Sequence, residues 1–107
     1  MDIKTARAQF LDPPPQNRPV PFWFWNDHLD PERAVWQFDQ MTEAGTGGAV
    51  IHARGGLESA EYLDEKWFET CTAVVEHAAK KGKIVWLYDE LGWPSGTAGG
   101  RVPREHP

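Results

Sequence analysis

Ala49-Val50-Ile51-His52 is the segment that decides the fold, because it is a near-continuous apolar run of the kind found in strands covered on both faces. The aromatic run Phe22-Trp23-Phe24-Trp25 and the run Ile84-Val85-Trp86-Leu87-Tyr88 have the same character. Both are rich in residues with high β propensity, and Pro21 stands at the start of the first, where a missing N–H donor does least harm. The three runs predict three strands buried in one sheet.

Two segments with helical spacing of apolar residues separate these strands. The first begins at the cap pair Asp30-Pro31 and ends at Gly45, and the second begins at Asp64 and ends at Gly82. The order strand, helix, strand, helix, strand predicts an α/β fold with parallel strands. Both an open doubly wound sheet and a (β/α)8 TIM barrel begin in this way. A whole barrel needs about 200 residues or more, so 107 residues correspond to a partial TIM barrel with two β/α units and a third strand.

The segments that flank this core carry weaker patterns. Residues 1–21 predict a Pro-rich lead-in to the domain at 22–107, and residues 11–21 hold five of the nine prolines and are expected to be extended. Residues 97–107 show no usable periodicity, and no further helix is expected there. The chain shows neither a signal-peptide core nor an apolar run of membrane length, so as written it is expected to be soluble and cytoplasmic.

Composition excludes several functional classes. A net charge of −5 argues against nucleic acid as a partner. The single cysteine, Cys71, excludes an internal disulfide and a cysteine-based zinc cluster. Motifs for zinc proteases and for phosphate or dinucleotide binding are absent, and residues 52–54 read His-x-Arg where metal-dependent amidohydrolases usually have His-x-His. No cofactor, no metal and no membrane partner is therefore predicted, although the unpaired strand edges would allow self-association.

Polar and aromatic residues follow each predicted strand at its C-terminal end, where parallel α/β folds bind ligands. Indole rings, amides and a guanidinium on one edge suit a polyhydroxylated ligand, so carbohydrate is the expected partner. The residues expected to bind substrate are Trp25, Asn26, His52, Arg54, Tyr88, Trp93 and Ser95.

Asp89 and Glu90 are the candidate catalytic carboxylates. Neighbours in a strand point to opposite faces, so we expect one of them to face the site and a partner carboxylate to come from elsewhere. Binding of sugar hydroxyls or of Arg54 is the favoured alternative to proton transfer. A structural hydrogen-bonding role is the corresponding alternative for His52.

Several motifs taken together resemble the N-terminal part of α-L-rhamnosidase-like glycoside hydrolases, the group around glycoside hydrolase family 106. The resemblance runs from about Phe10 to Val102. It rests on Pro-Phe-Trp-Phe-Trp-Asn at 21–26, Gly-Gly-Ala-Val-Ile-His-Ala-Arg-Gly-Gly-Leu at 47–57, Glu-Tyr-Leu at 61–63, Trp-Leu-Tyr-Asp-Glu-Leu-Gly-Trp-Pro-Ser-Gly at 86–96 and Ala-Gly-Gly at 98–100.

The resemblance implies a longer enzyme whose (β/α)8 catalytic domain cleaves rhamnosyl or related linkages. This chain would then be a fragment that carries part of the sugar-binding face and is inactive alone. The calcium ion reported in the family is assigned to no residue here. Two other interpretations remain open: a small non-catalytic carbohydrate-binding module, and an independent metal enzyme of the amidohydrolase type built by oligomerisation.

Overall fold

The three predicted strands form one parallel sheet in a computed structural model, which describes residues 1–58 and 61–107. Strand β1 spans Phe22–Trp25, β2 spans Gly48–Ala53 and β3 spans Ile84–Leu91. The strands lie in the order β1-β2-β3, with β2 hydrogen-bonded to both neighbours in parallel. The α/β class and the parallel sheet are thus confirmed, and the arrangement is compatible with a partial β/α fold.

Four helices and one 3-10 turn complete the described chain. They are α1 at Ile3–Leu11, the turn at Pro15–Asn17, α2 at Pro31–Glu43, α3 at Glu65–Lys81 and α4 at Arg101–Glu105. Helices α2 and α3 begin at the predicted caps: Asp30 accepts the N–H groups of Glu32 and Arg33, and Asp64 accepts that of Trp67 at 2.9 Å. These bonds satisfy donors that the first helical turn leaves open.

Helices α1 and α4 differ from the expectation for the two flanks. Helix α1 is capped by Asp2, whose carboxylate accepts the Thr5 N–H at 2.8 Å, and it buries none of its residues. An element without a buried face shows no apolar periodicity that would predict it. The 3-10 turn likewise replaces part of the extended lead-in, and α4 is a single short turn of helix at 101–105.

Strand β3 is longer than predicted, because it continues past Tyr88 to Leu91 and includes both candidate carboxylates. Its pairing with β2 shifts between Ile51, which lies opposite Leu87, and Ala53, which lies opposite Leu91. One residue of β2 therefore faces three of β3. Such a bulge bends the strand and changes the direction of its side chains, as bulges near functional sites commonly do.

Helices α2 and α3 cover one face of the sheet and form the core with it. Trp25 and Ile51 project from the sheet into this core, where they meet Phe38 of α2 and Trp67 of α3. The two helices are also joined by His77, whose Nε2 lies 2.7 Å from a carboxylate oxygen of Asp39. Successive side chains of β1 point to opposite faces of the sheet, so Trp25 is buried in this core and its neighbour Phe24 is exposed.

The opposite face of the sheet, here called the open face, has no helix packed on it within the described part of the chain. Phe22, Phe24 and Trp86 lie on this face, because they share the register of Val50 and His52. Each of the three exposes about half or more of its surface. No helix among residues 1–58 and 61–107 is both long and apolar enough to cross a bilayer.

Candidate functional site

Aromatic rings gather on the open face around His52 and form what we call the open-face cluster: Phe22, Phe24, His52, Tyr88 and Trp93. The ring centroids of His52 and Tyr88 are 4.0 Å apart, and those of Phe22 and Phe24 each lie 5.5 Å from that of His52. Trp93 stacks on Tyr88 with 6.3 Å between centroids and 29° between planes. Trp93 is 75% exposed, so its outer face is open to a ligand.

His52 lies at the centre of the cluster and is 2% exposed. Its Nε2 lies 2.9 Å from the carbonyl oxygen of Gly92, and because that carbonyl can only accept, Nε2 carries the proton. In a neutral imidazole Nδ1 is then an acceptor, and it is buried without a hydrogen-bond partner among the described residues, as is the hydroxyl of Tyr88. Two adjacent residues of the cluster thus hold unused hydrogen-bonding capacity.

Arg54 extends from the end of β2 over this cluster. Its Cζ lies 4.8 Å from the ring centroid of Phe24, a distance at which a cation interacts favourably with an aromatic face. No ion pair joins Arg54 to Asp89, so the alternative in which these two residues neutralise each other is wrong. Arg54 packs on an aromatic ring instead, and its charge has no carboxylate partner in the part of the chain that the structure describes.

The turn that follows Arg54 is held against the end of β1. The Arg54 N–H donates to the Trp25 carbonyl at 3.0 Å, and the Leu57 N–H donates to the Arg54 carbonyl at 3.1 Å. Gly56 adopts a φ of +113°, and a Cβ there would lie 1.9 Å from the carbonyl oxygen of Asn26. Glycine is therefore required at this close approach, which fixes the backbone that presents Arg54.

Glu90 is 1% exposed and directs its carboxylate into the loop that follows β3. The carboxylate accepts N–H groups from Leu91 at 2.9 Å, Gly96 at 3.1 Å and Thr97 at 2.6 Å, and it also accepts from the Gly99 N–H and the Thr97 hydroxyl. Burial alone would raise the pKa of Glu90, but the hydrogen bonds from the backbone of Thr97, Gly99 and Leu91 outweigh it and lower the pKa to about 2.

This environment gives Glu90 a structural function as the organiser of its loop. A carboxylate that is ionised at neutral pH and saturated by its own loop has no proton to give and no free oxygen. Asp89 differs, because it is exposed and its side chain accepts from one group of the described residues, the Ser95 hydroxyl, at 2.7 Å. The two neighbours therefore occupy different environments, and Asp89 is the one available to a ligand.

The side chain of Trp25 lies apart from the other candidate residues. Trp25 is 5% exposed and lies on the helix-covered face, with its ring 5.4 Å from that of Trp67. Its indole N–H is buried without a partner among the described residues. Asn26 is exposed just beyond β1. The structure thus brings His52, Arg54, Tyr88 and Trp93 together. Asp89 lies in β3 beside Tyr88, and Ser95 lies in the loop after that strand. Trp25 lies elsewhere, in the core.

A pocket of about 480 Å3 lies between β1 and α2, and the sequence did not indicate it. Asn26, Asp27, Arg33 and Trp36 are among its lining residues. It forms beside the unpaired edge of β1, a position that no local pattern reveals. Phe22 and Phe24 were also missed as site residues, although the alternation of four aromatic residues in β1 implied that two of them face away from the core.

Metal-ligating side chains are not grouped at either place. Within the described residues, no three side chains of His, Cys, Asp or Glu lie close enough together to hold a metal ion. Comparison with known proteins adds no identification: no protein-family model, no curated protein and no solved structure matches this chain.

Proposed function

We propose that this chain supplies part of the sugar-binding face of a glycoside hydrolase that acts on rhamnosyl or related linkages. The observation that carries the proposal is the open-face cluster, in which the stacked rings of Tyr88 and Trp93 stand beside the polar groups of His52 and Arg54. An exposed indole suits the C–H face of a sugar ring, and the guanidinium N–H groups of Arg54, which have no partner among the described residues, suit its hydroxyls.

The incomplete sheet supports the view that further strands complete a (β/α)8 barrel. Strands β1 and β3 each have one edge without a partner strand among the described residues. The open face also exposes the rings of Phe22, Phe24 and Trp86, which additional strands would enclose. In such a barrel the open face would line the interior, and the residues at the strand ends would meet the substrate.

In this proposal the chain binds sugar and does not cleave it by itself. The carboxylate of Glu90 is fully hydrogen-bonded within its own loop, so Asp89 is the remaining candidate carboxylate in this part of the barrel. Glycoside hydrolysis typically requires two carboxyl groups, and the second would come from another strand. The saturation of Glu90 also favours the second candidate function, a small non-catalytic carbohydrate-binding module.

Titration with L-rhamnose, followed by tryptophan fluorescence, tests the binding function. We expect Trp93→Ala to remove the response, because Trp93 is the exposed ring of the open-face cluster. Trp36→Ala is the matched control, since Trp36 is also an exposed indole but lines the pocket beside α2. Loss of binding in the Trp36 variant alone would move the sugar site to that pocket and overturn the proposed location.

Two further measurements separate the candidate functions. Size-exclusion chromatography that shows association through the strand edges supports the barrel fragment, whereas a monomer with one cooperative unfolding transition supports the module. Incubation with 4-nitrophenyl α-L-rhamnoside is expected to release no nitrophenol. Release of nitrophenol by the unmodified chain would contradict both candidate functions, because hydrolysis would require two catalytic carboxyl groups within this chain.

A further inference from the structure

Arg54 has hydrogen-bonding capacity that the described residues do not use. Three arginines of the described chain are half-buried: Arg18, Arg54 and Arg101. Arg18 donates to the Pro13 carbonyl and pairs with a carboxylate, and Arg101 donates to the Tyr62 carbonyl at 3.0 Å. The guanidinium of Arg54 lies on Phe24 and has neither a hydrogen bond nor an ion pair within the described ranges.

The backbone holds this free guanidinium in a defined place. Bonds to Trp25 and from Leu57 fix the main chain of Arg54 on both sides, and the absence of a side chain at Gly56 allows the turn to lie close against Asn26. The ring of Phe24 packs against the guanidinium of Arg54 and so restricts the position of this side chain. A cation held on an aromatic face loses little side-chain entropy when it binds an anion, which favours binding.

Arg54 is the group at this position that an anion can reach. Phe24 contacts both Arg54 and His52, but the Nδ1 of His52, which has no partner in the described part of the chain, is buried and out of a ligand's reach. A ligand would therefore interact here by offering an anionic oxygen to Arg54. The chain has a net charge of −5, so attraction of an anion here depends on Arg54 itself and not on a general positive field.

We propose that Arg54, supported by Phe24, forms a subsite for the carboxylate of an acidic sugar, so that the substrate contains a uronate residue. This inference rests on the proposed carbohydrate-binding function and specifies its substrate class. The planar guanidinium pairs with a carboxylate through two parallel N–H···O bonds, which a neutral hydroxymethyl group cannot reproduce. The exposed ring of Trp93 then stacks on a sugar ring of the same oligosaccharide.

The methyl glycosides of D-glucuronate and D-glucose test this inference, because they differ only at C6. Isothermal titration of the full chain is expected to show about tenfold tighter binding of the uronate, the factor given by one charge-assisted contact. Arg54→Gln should remove the difference, and Arg54→Lys should keep part of it, because a lysine retains the charge but not the paired geometry. Arg33→Gln, which removes an exposed arginine beside the pocket, should leave the difference unchanged.

The possible results separate the inference from the function on which it rests. Equal binding of both glycosides would overturn the uronate subsite and leave the proposed sugar-binding function in place. Binding of neither glycoside nor L-rhamnose would overturn both. Circular dichroism of each variant shows whether it folds, and the lysine variant provides the comparison if the glutamine variant does not.

Discussion

The carboxylate of Glu90 accepts the N–H of Thr97, seven residues further along the chain, at 2.6 Å. The same side chain also accepts N–H groups from Leu91 and Gly96, so a single buried carboxylate replaces the hydrogen bonds that regular structure would provide. The loop that it organises carries Trp93 and Ser95. Glu90 thus acts on the candidate site indirectly, by fixing the loop that presents these two residues.

Replacement of Glu90 by glutamine is expected to lower the free energy of unfolding by about 2–3 kcal/mol, the cost of leaving a buried donor without its charged acceptor. The glutamine NH2 group cannot accept, so at least one N–H of the loop loses its partner. Urea denaturation measures the loss. The control is Asp89→Asn, which changes an exposed carboxylate with one hydrogen bond, and an equal loss in that variant would contradict the assignment.

The same carboxylate predicts how stability depends on pH. Its pKa in the folded chain is about 2, below the ordinary value of 4.5. As the pH falls below that ordinary value, the unfolded chain binds a proton that the folded chain does not bind, so stability decreases. The contribution of Glu90 is therefore complete above about pH 5 and is lost as the pH falls toward about 2. Urea midpoints measured across this range should fall less steeply for Glu90→Gln, and parallel curves would refute the prediction.

Gly56 and Gly55 provide a matched pair for the turn that presents Arg54. Alanine at Gly56 would place its Cβ 1.9 Å from the Asn26 carbonyl oxygen at a φ of +113°, whereas a Cβ at Gly55 meets nothing within 4 Å. We expect Gly56→Ala to cost about 2–3 kcal/mol of stability and Gly55→Ala less than about 0.5 kcal/mol. Thermal unfolding of the two variants compares them, and similar melting temperatures would show that the turn tolerates a side chain.

Cys71 is expected to react only after the chain unfolds. Burial in the core raises the pKa of its thiol to about 12, so almost no thiolate exists near neutral pH. Reaction with 5,5′-dithiobis(2-nitrobenzoate) at pH 8 should be on the order of 1,000-fold slower for the native chain than for the chain in guanidinium. Equally fast reaction in both conditions would mean that α3 does not stay packed on the sheet.

The sequence by itself determined the elements that have a buried face. The apolar runs at 22–25 and 49–52 predicted strands β1 and β2, and Asp30 and Asp64 predicted where α2 and α3 begin. These signals are local, since an amphipathic period and a capping side chain both act within a few residues. Helix α1 lacked such a signal because none of its residues is buried.

Tertiary structure alone decided which candidate residues meet. Trp25 and His52 both lie near the ends of parallel strands, yet one faces the helices and the other faces the open side, because side chains alternate along a strand. Where the register between β2 and β3 shifts, Glu90 turns into its own loop and Asp89 stays exposed. Register shifts depend on residues that are far apart in the chain, and loop hydrogen bonds depend on how the loop folds back. Composition and periodicity therefore cannot predict either of them.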